Sequence, residues 1–207
     1  MKLLIVSDEE SKYIWDYFDK ERFKDVELII SCGDLKQAYL SFLVSMLDVP
    51  LYYVHGNHDT DYKKHPPEGC VSLEDRILTY KGVRIAGLGG SIRYAPGEFQ
   101  FTERQMRWRM VKLKPNLWWN RGLDILVTHA PVLDLGDGRD PVHKGFGCFR
   151  TFMDAYSPRY LFHGHQHLNY GRNERIHTYK DTTIINGFGY YIVDFPSRGK
   201  IEVFKGK

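Results

Sequence analysis

Five polar clusters in this 207-residue chain each follow an apolar run. They are Asp8, Gly33-Asp34, Gly56-Asn57-His58-Asp59, Thr128-His129 and His163-Gly164-His165-Gln166-His167. In order, they offer two carboxylates, an amide beside an imidazole, a lone imidazole and a His-x-His pair. Oxygen and imidazole donors in this mixture suit Mn, Fe, Zn or Co better than Ca. Two such ions sharing a carboxylate lower the pKa of a bound water and clamp a phosphate. Each cluster alone has a plainer reading. A lone Asp after a strand is commonly a turn residue or helix cap, and Gly-Asp is commonly a turn. A His before Ala130-Pro131 is more often a core or loop residue than a ligand. Gly-Asn-His-Asp is the most specific of the five. Their order, each after an apolar run, carries the metal-site reading.

The elements that must position these clusters alternate. Leu3 to Val6, Val26 to Ile30 and Leu51 to Val54 read as buried strands. Ile14, Tyr17 and Phe18 carry a helical period between the first two strands, and Tyr39, Leu40, Phe42, Leu43, Met46 and Leu47 carry one between the second and third. Pro50 stops the latter helix. This is the pattern of a parallel sheet with crossover helices. Ligand groups in open α/β sheets collect beyond the C-terminal strand ends, where all five clusters fall.

Residues 60–69 read as a loop, and Val71 to Leu73, Ile77 to Tyr80 and Val83 to Ala86 as short strands. Thr102 caps a helix with Met106, Met110 and Leu113 on its buried face, and Pro115 is expected to end it. Leu123 to Val127 and Tyr160 to Phe162 read as strands, with a helix through Phe149, Phe152 and Met153 between them. Residues 132–147 form a Gly- and Asp-rich loop of the length that usually has a function. Ile176 to Thr178, Thr182 to Ile185, Tyr190 to Phe195 and Ile201 to Phe204 read as a closing antiparallel set.

Length and the lack of a linker predict a single domain over residues 1–207. The net charge of +3 is small and makes no strong case for nucleic acid or a membrane. No run is long enough to span a bilayer, and the N-terminal apolar run is too short for a signal peptide. Three widely spaced cysteines, Cys32, Cys70 and Cys148, fit free thiols in a reducing compartment. A cytoplasmic protein is expected.

The clusters resemble the motifs of calcineurin-like metallophosphoesterases: Asp-x-His, Gly-Asp, Gly-Asn-His-Asp/Glu, a later His, and Gly-His-x-His. The likeness runs from Asp8 to His167, and Gly87-Leu88-Gly89-Gly90-Ser91 adds to it. It implies an α/β fold, the metallophosphoesterase-type four-layer sandwich of two mixed β-sheets flanked by α-helices. It also implies two divalent transition-metal ions, Mn foremost, with Fe, Zn, Co or Ni as alternatives. Asp8, Asp34 and His167 would hold the first. Asp34, Asn57, His129 and His165 would hold the second, with Asp34 bridging.

His58 would face the scissile phosphate as general acid or charge stabiliser, with Asp59 orienting it and Asn57 also near substrate. The implied reaction is hydrolysis of a small phosphate ester, a phosphodiester first, through in-line attack by a metal-bridging hydroxide. Phosphomonoesterase or protein phosphatase activity comes second and nuclease activity third. A non-catalytic metal-binding scaffold is the rival from another class.

One position departs from the pattern: Glu10 stands where the family has the His of Asp-x-His. Glu10 could ligate the first metal through oxygen, sit behind a metal-bound water, or mark a weakened first site. Of the remaining histidines, His55 and His163 should end their strands, and His65 and His177 look like surface or loop residues. His143, in the long loop, is a candidate for substrate contact. Arg93 and Arg150 are candidates for phosphate recognition, against the plainer reading of structural arginines. Oligomeric state, native metals and physiological substrate are open at this point.

Overall fold

Leu3 to Val6 have no polar residue among them, the pattern of a strand covered on both faces. In the computed structural model, which describes residues 1–138, 140–168 and 174–196, they lie in strand β1 (Lys2–Ser7). β2 (Val26–Ser31), β3 (Leu51–Tyr53) and β4 (Cys70–Ser72) continue the first sheet in parallel. The helical segments on this side are α1 (Lys12–Asp16), α2 (Lys20–Phe23) and α3 (Gln37–Leu47).

The second sheet is built from β5 (Ile77–Tyr80), β6 (Val83–Leu88), β9 (Ile125–Thr128), β10 (Tyr160–His163), β11 (Ile176–Tyr179) and β12 (Thr182–Asn186). β7 (Ser91–Ile92) and β8 (Gln100–Phe101) form a small separate pair. α4 (Glu103–Trp119) and α5 (Cys148–Tyr156) lie in the second half of the chain. β13 (Gly189–Asp194) returns to pair antiparallel with β1. The first sheet runs β13-β1-β2-β3-β4 and the second β11-β12-β10-β9-β6-β5.

Alternation along the strands separates three core layers. Leu3, Ile5, Leu28 and Ile30 pack with Ile85, Ile125, Val127, Phe162 and Ile185, filling the space between the two sheets. Leu4, Val6 and Ile29 point the other way, onto Tyr39, Leu40 and Leu43 of α3. Ala86, Leu126, Leu161 and Ile184 face α4 and α5 through Met106, Leu113, Phe149 and Phe152. The architecture is the expected four-layer sandwich of two mixed sheets between helices.

Several local expectations differ from the structure. Pro115 does not end its helix; α4 continues to Trp119 with Pro115 inside it. The proline is exposed, so the Val111 carbonyl that its missing N–H leaves free lies on the solvent side, where water satisfies it. The Thr102 cap holds, as a capping box with Gln105.

The first helix stops at Asp16; Tyr17 leaves the helical region and is 73% exposed. Residues 60–69 include a 3-10 turn, Thr60–Lys63. The C-terminal strands do not form one antiparallel set. β12 pairs parallel with β10 and antiparallel with β11 in the second sheet, while β13 closes the first. Gly187, between β12 and β13, and Gly189, the first residue of β13, allow the chain to switch sheets there; Gly189 has φ 67°. The strand expected at Ile201 to Phe204 lies outside the described residues. All three cysteines are free, and Cys32 and Cys148 are buried.

Candidate metal centre and active site

The ends of β1, β2, β9 and β10 are tied edge to edge. The Asp8 N–H donates to the Gly33 carbonyl at 3.1 Å, and the Gly164 N–H to the His129 carbonyl at 2.9 Å. Gly164 must be glycine, because a Cβ there would collide with the Ser7 hydroxyl and the Asp8 carboxylate. At these ends Asp8, Asp34 and His165 adopt φ of 62°, 56° and 63°. Left-handed backbone is disfavoured for side-chain-bearing residues and collects at functional sites. Three adjacent strand ends thus carry strain in the residues expected to bind metal.

Asp34, His129 and His165 offer ligand atoms that all lie within 4.8 Å of one another. The rings of His129 and His165 are 4.8 Å apart. Each ring has one nitrogen on a backbone carbonyl: His129 Nδ1 on Cys32 O at 2.8 Å, and His165 Nε2 on Val142 O at 2.7 Å. A carbonyl accepts only from N–H, so in the neutral ring it fixes the tautomer and leaves the other nitrogen with a lone pair for a metal. His129 Nε2 faces Asn57 Oδ1 at 3.0 Å and Asp34 Oδ2 at 3.4 Å.

Burial opposes charge on both members of the His129–Asp34 pair, yet their mutual attraction prevails. His129 is raised to about 9 and Asp34 lowered to about 2. Burial keeps His165 neutral, lowered to about 3. Two imidazoles and a carboxylate gathered this closely could hold a divalent transition ion, with Asn57 Oδ1 beside His129.

The other expected ligands are less closely gathered. Burial raises the Asp8 carboxyl above its ordinary value, with His129 pulling the other way. Both Asp8 oxygens accept from the His165 N–H, at 3.0 and 2.9 Å. Glu10 lines the same cleft of about 500 Å3 as Asp8, Asp34, His58 and Asp59. Its Oε1 accepts from the Lys36 N–H at 3.3 Å and pairs with Lys36 Nζ at 3.6 Å. His167 is exposed, its ring 4.9 Å from Phe188 and 6.0 Å from His143.

His58 is exposed in the cleft, and its N–H donates to Asp34 Oδ1 at 2.8 Å. Asp59 is buried beneath it. Asp59 Oδ2 accepts from Gly56 N–H at 2.7 Å and Asp34 N–H at 2.9 Å. Among the described residues no hydrogen bond joins Asp59 to the His58 ring. Burial and the nearby Asp34 charge raise Asp59 to about 6, against the pull of those two N–H groups.

The long loop does overhang the site, since Val142 supplies the carbonyl to His165. His143 sits 5.3 Å from the His165 ring, its Nδ1 on Asp140. Arg93 is spent on the Gln100 carbonyl and Gln105 Oε1, and Arg150 on Leu133 O and Asp134. His163 ends β10 as expected, its Nδ1 on its neighbour's carbonyl at Gly164 and burial lowering it to about 4.

Two groups escaped the sequence. Tyr94 Oη accepts from Asn57 Nδ2 at 3.2 Å, which turns Asn57 Oδ1 toward His129. Glu74 accepts from the His55 and Gly89 N–H groups and pairs with Arg109, bracing the strand end before Asn57. The glycines at 87–90 were the nearest signal for either.

The model of the family described as calcineurin-like phosphoesterase matches residues 1–169. The chain belongs to the calcineurin-like phosphoesterase family. This phosphoesterase is 26% identical over 215 residues to an uncharacterised protein of Haemophilus influenzae, covering 88% of this chain and 90% of the relative. A crystal structure of TT1561 of Thermus thermophilus superposes with TM-score 0.59 at 14% identity, over 90% of this chain and 88% of that one. Another crystal structure gives TM-score 0.68 at 14% identity, over 93% and 94%. At such identities the structures attest the fold alone. Membership makes this a metal-dependent phosphoesterase by family, and the Asp34–His129–His165 group is its candidate metal site.

Proposed function

We propose that the protein hydrolyses a small phosphodiester with divalent transition-metal ions held by Asp34, Asn57, His129 and His165. The observation that carries this reading is the pair of carbonyl-fixed imidazoles, each presenting its other nitrogen beside Asp34. Bound ions of this class acidify a water and neutralise phosphate charge. The chain's own residues do the rest. Asp34, anchored through its backbone by Asp59, keeps a carboxylate oxygen in the site. His58, exposed at the cleft, donates a proton or hydrogen bond to the leaving oxygen. His143, held by Asp140, contacts the substrate from the loop. Arg93 and Arg150 also serve the fold, Arg93 through the Gln100 carbonyl and Gln105 Oε1 and Arg150 through the Leu133 carbonyl.

A first ion would sit near Asp8 and His167. With Glu10 paired to Lys36, this position is the weaker of the two. The same pairing favours a second reading, a metal-binding scaffold without turnover. Hydrolysis of bis(p-nitrophenyl) phosphate with Mn, against metal-stripped protein, separates the two. The enzyme reading expects metal-dependent turnover that His58→Ala lowers ~100-fold or more while metal stays bound. Full activity of His58→Ala sinks the role of His58. A metal-loaded protein inert toward diesters and monoesters alike supports the scaffold.

A further inference from the structure

α4 is apolar on two opposite sides, and the core uses only one of them. Met106, Met110, Leu113 and Leu117 are buried against the second sheet. At 100° per residue, Trp108, Val111, Pro115, Trp118 and Trp119 fall on the opposite side. The three tryptophans are 62%, 78% and 79% exposed, and Val111 41%. Large exposed aromatics at this density are unusual on a free surface and mark a contact site.

Charge indicates what covers them. Arg104, Arg107, Lys112 and Lys114 flank the ridge, and Arg121 follows it; the helix has one acidic residue, Glu103. Glu103 pairs with Arg107 at 3.5 Å, and among the described residues Arg104, Lys112 and Lys114 have no carboxylate partner. A second copy of the same face would bring cation against cation. A tryptophan ridge with basic margins instead matches a lipid interface, where indoles sit at the headgroup level and Lys and Arg meet anionic lipid. The small net charge of the whole chain conceals this local excess.

We propose that the outward face of α4 docks the protein peripherally on an anionic membrane surface, with Trp108, Trp118 and Trp119 inserted and Lys112 and Lys114 on the headgroups. The test is co-sedimentation of the full chain with phosphatidylcholine vesicles, with and without phosphatidylglycerol, while tryptophan emission is followed. Expected are partition onto the anionic vesicles alone, a blue shift and weakening by salt. Lys112→Glu/Lys114→Glu should cut partition ~30-fold or more, from the contribution of each cation near the surface. Trp118→Ala/Trp119→Ala should cut partition and shrink the blue shift to what Trp108 alone gives. Both variants alter exposed side chains, so their thermal unfolding should match wild type.

Failure to bind either vesicle overturns the proposal, as does equal binding to both. A dimer that Trp118→Ala/Trp119→Ala dissolves, without vesicle binding, would assign the face to a second copy. Binding to single-stranded nucleic acid in place of vesicles would assign it to that partner.

Discussion

Replacing Asp59 distinguishes a brace beneath the site from an orienter of His58. Its Oδ2 accepts two backbone N–H groups, from Gly56 and Asp34, in a residue 5% exposed. Asp59→Ala leaves the buried Gly56 N–H and the partly buried Asp34 N–H without this partner. At ~1–3 kcal/mol for each orphaned group, the loss of stability is ~2–6 kcal/mol. Asp59→Asn keeps an acceptor oxygen; it loses the charge assistance, about 1–2 kcal/mol by the same scale, and with it the burial cost and the Asp34 repulsion that oppose the carboxylate. Because the Asp34 N–H is one of the donors, Asp59→Ala should also weaken metal binding at Asp34. Urea denaturation of metal-free protein reads the first effect and calorimetric titration with Mn the second. Asp59→Ala should fall well below both wild type and Asp59→Asn in both measurements. Stability of Asp59→Ala within ~0.5 kcal/mol of wild type, with unchanged Mn affinity and loss confined to turnover, would refute the brace and restore contact with His58.

Tyr94→Phe removes the acceptor that turns Asn57, and Mn affinity should fall ~10-fold with the fold intact, as for other supports behind a metal ligand; titration calorimetry measures it. Glu10→His restores the family's imidazole and should raise metal stoichiometry toward two per chain, read by elemental analysis after equilibrium dialysis. Glu74 sets an acid limit on stability. Burial raises its pKa, but His55 and Arg109 overcome this and hold it at about 2, against 4.5 for the ordinary side chain. The folded state therefore binds this proton less readily, so its stabilisation is complete above pH 4.5 and is lost as pH falls through 2. The loss is ~3 kcal/mol, and Glu74→Gln should flatten that part of the pH–stability curve in urea titrations.

The strands that carry the site were legible because both their faces are covered, which leaves unbroken apolar runs such as Leu3 to Val6. The polar residue ending each run then had to be turn, cap or ligand, and the motif order chose among these. What escaped depends on contacts across the fold. Pro115 reads as a helix end locally, yet it is tolerated where its freed acceptor meets water. The sheet switch between β12 and β13 rests on two glycines whose pairing partners lie far away in sequence. Asp59 reaches the Asp34 N–H, and Tyr94 reaches Asn57, across stretches of chain that no motif spacing connects. Glu10 was visible as a departure from the pattern, but its partner Lys36 was not.

The bond from Val142 O to His165 Nε2 joins two regions that are otherwise distant in sequence. The loop bearing Val142 is also the one that sets His143 beside the rings of His165 and His167. Any insertion or deletion there that reshapes the substrate opening also shifts the carbonyl that fixes the tautomer of His165. If the loop contacts substrate as proposed, substrate choice and metal retention would be linked traits. A loop graft that alters what enters this cleft should change which ions stay in it, and relatives with different loops should differ in both properties together.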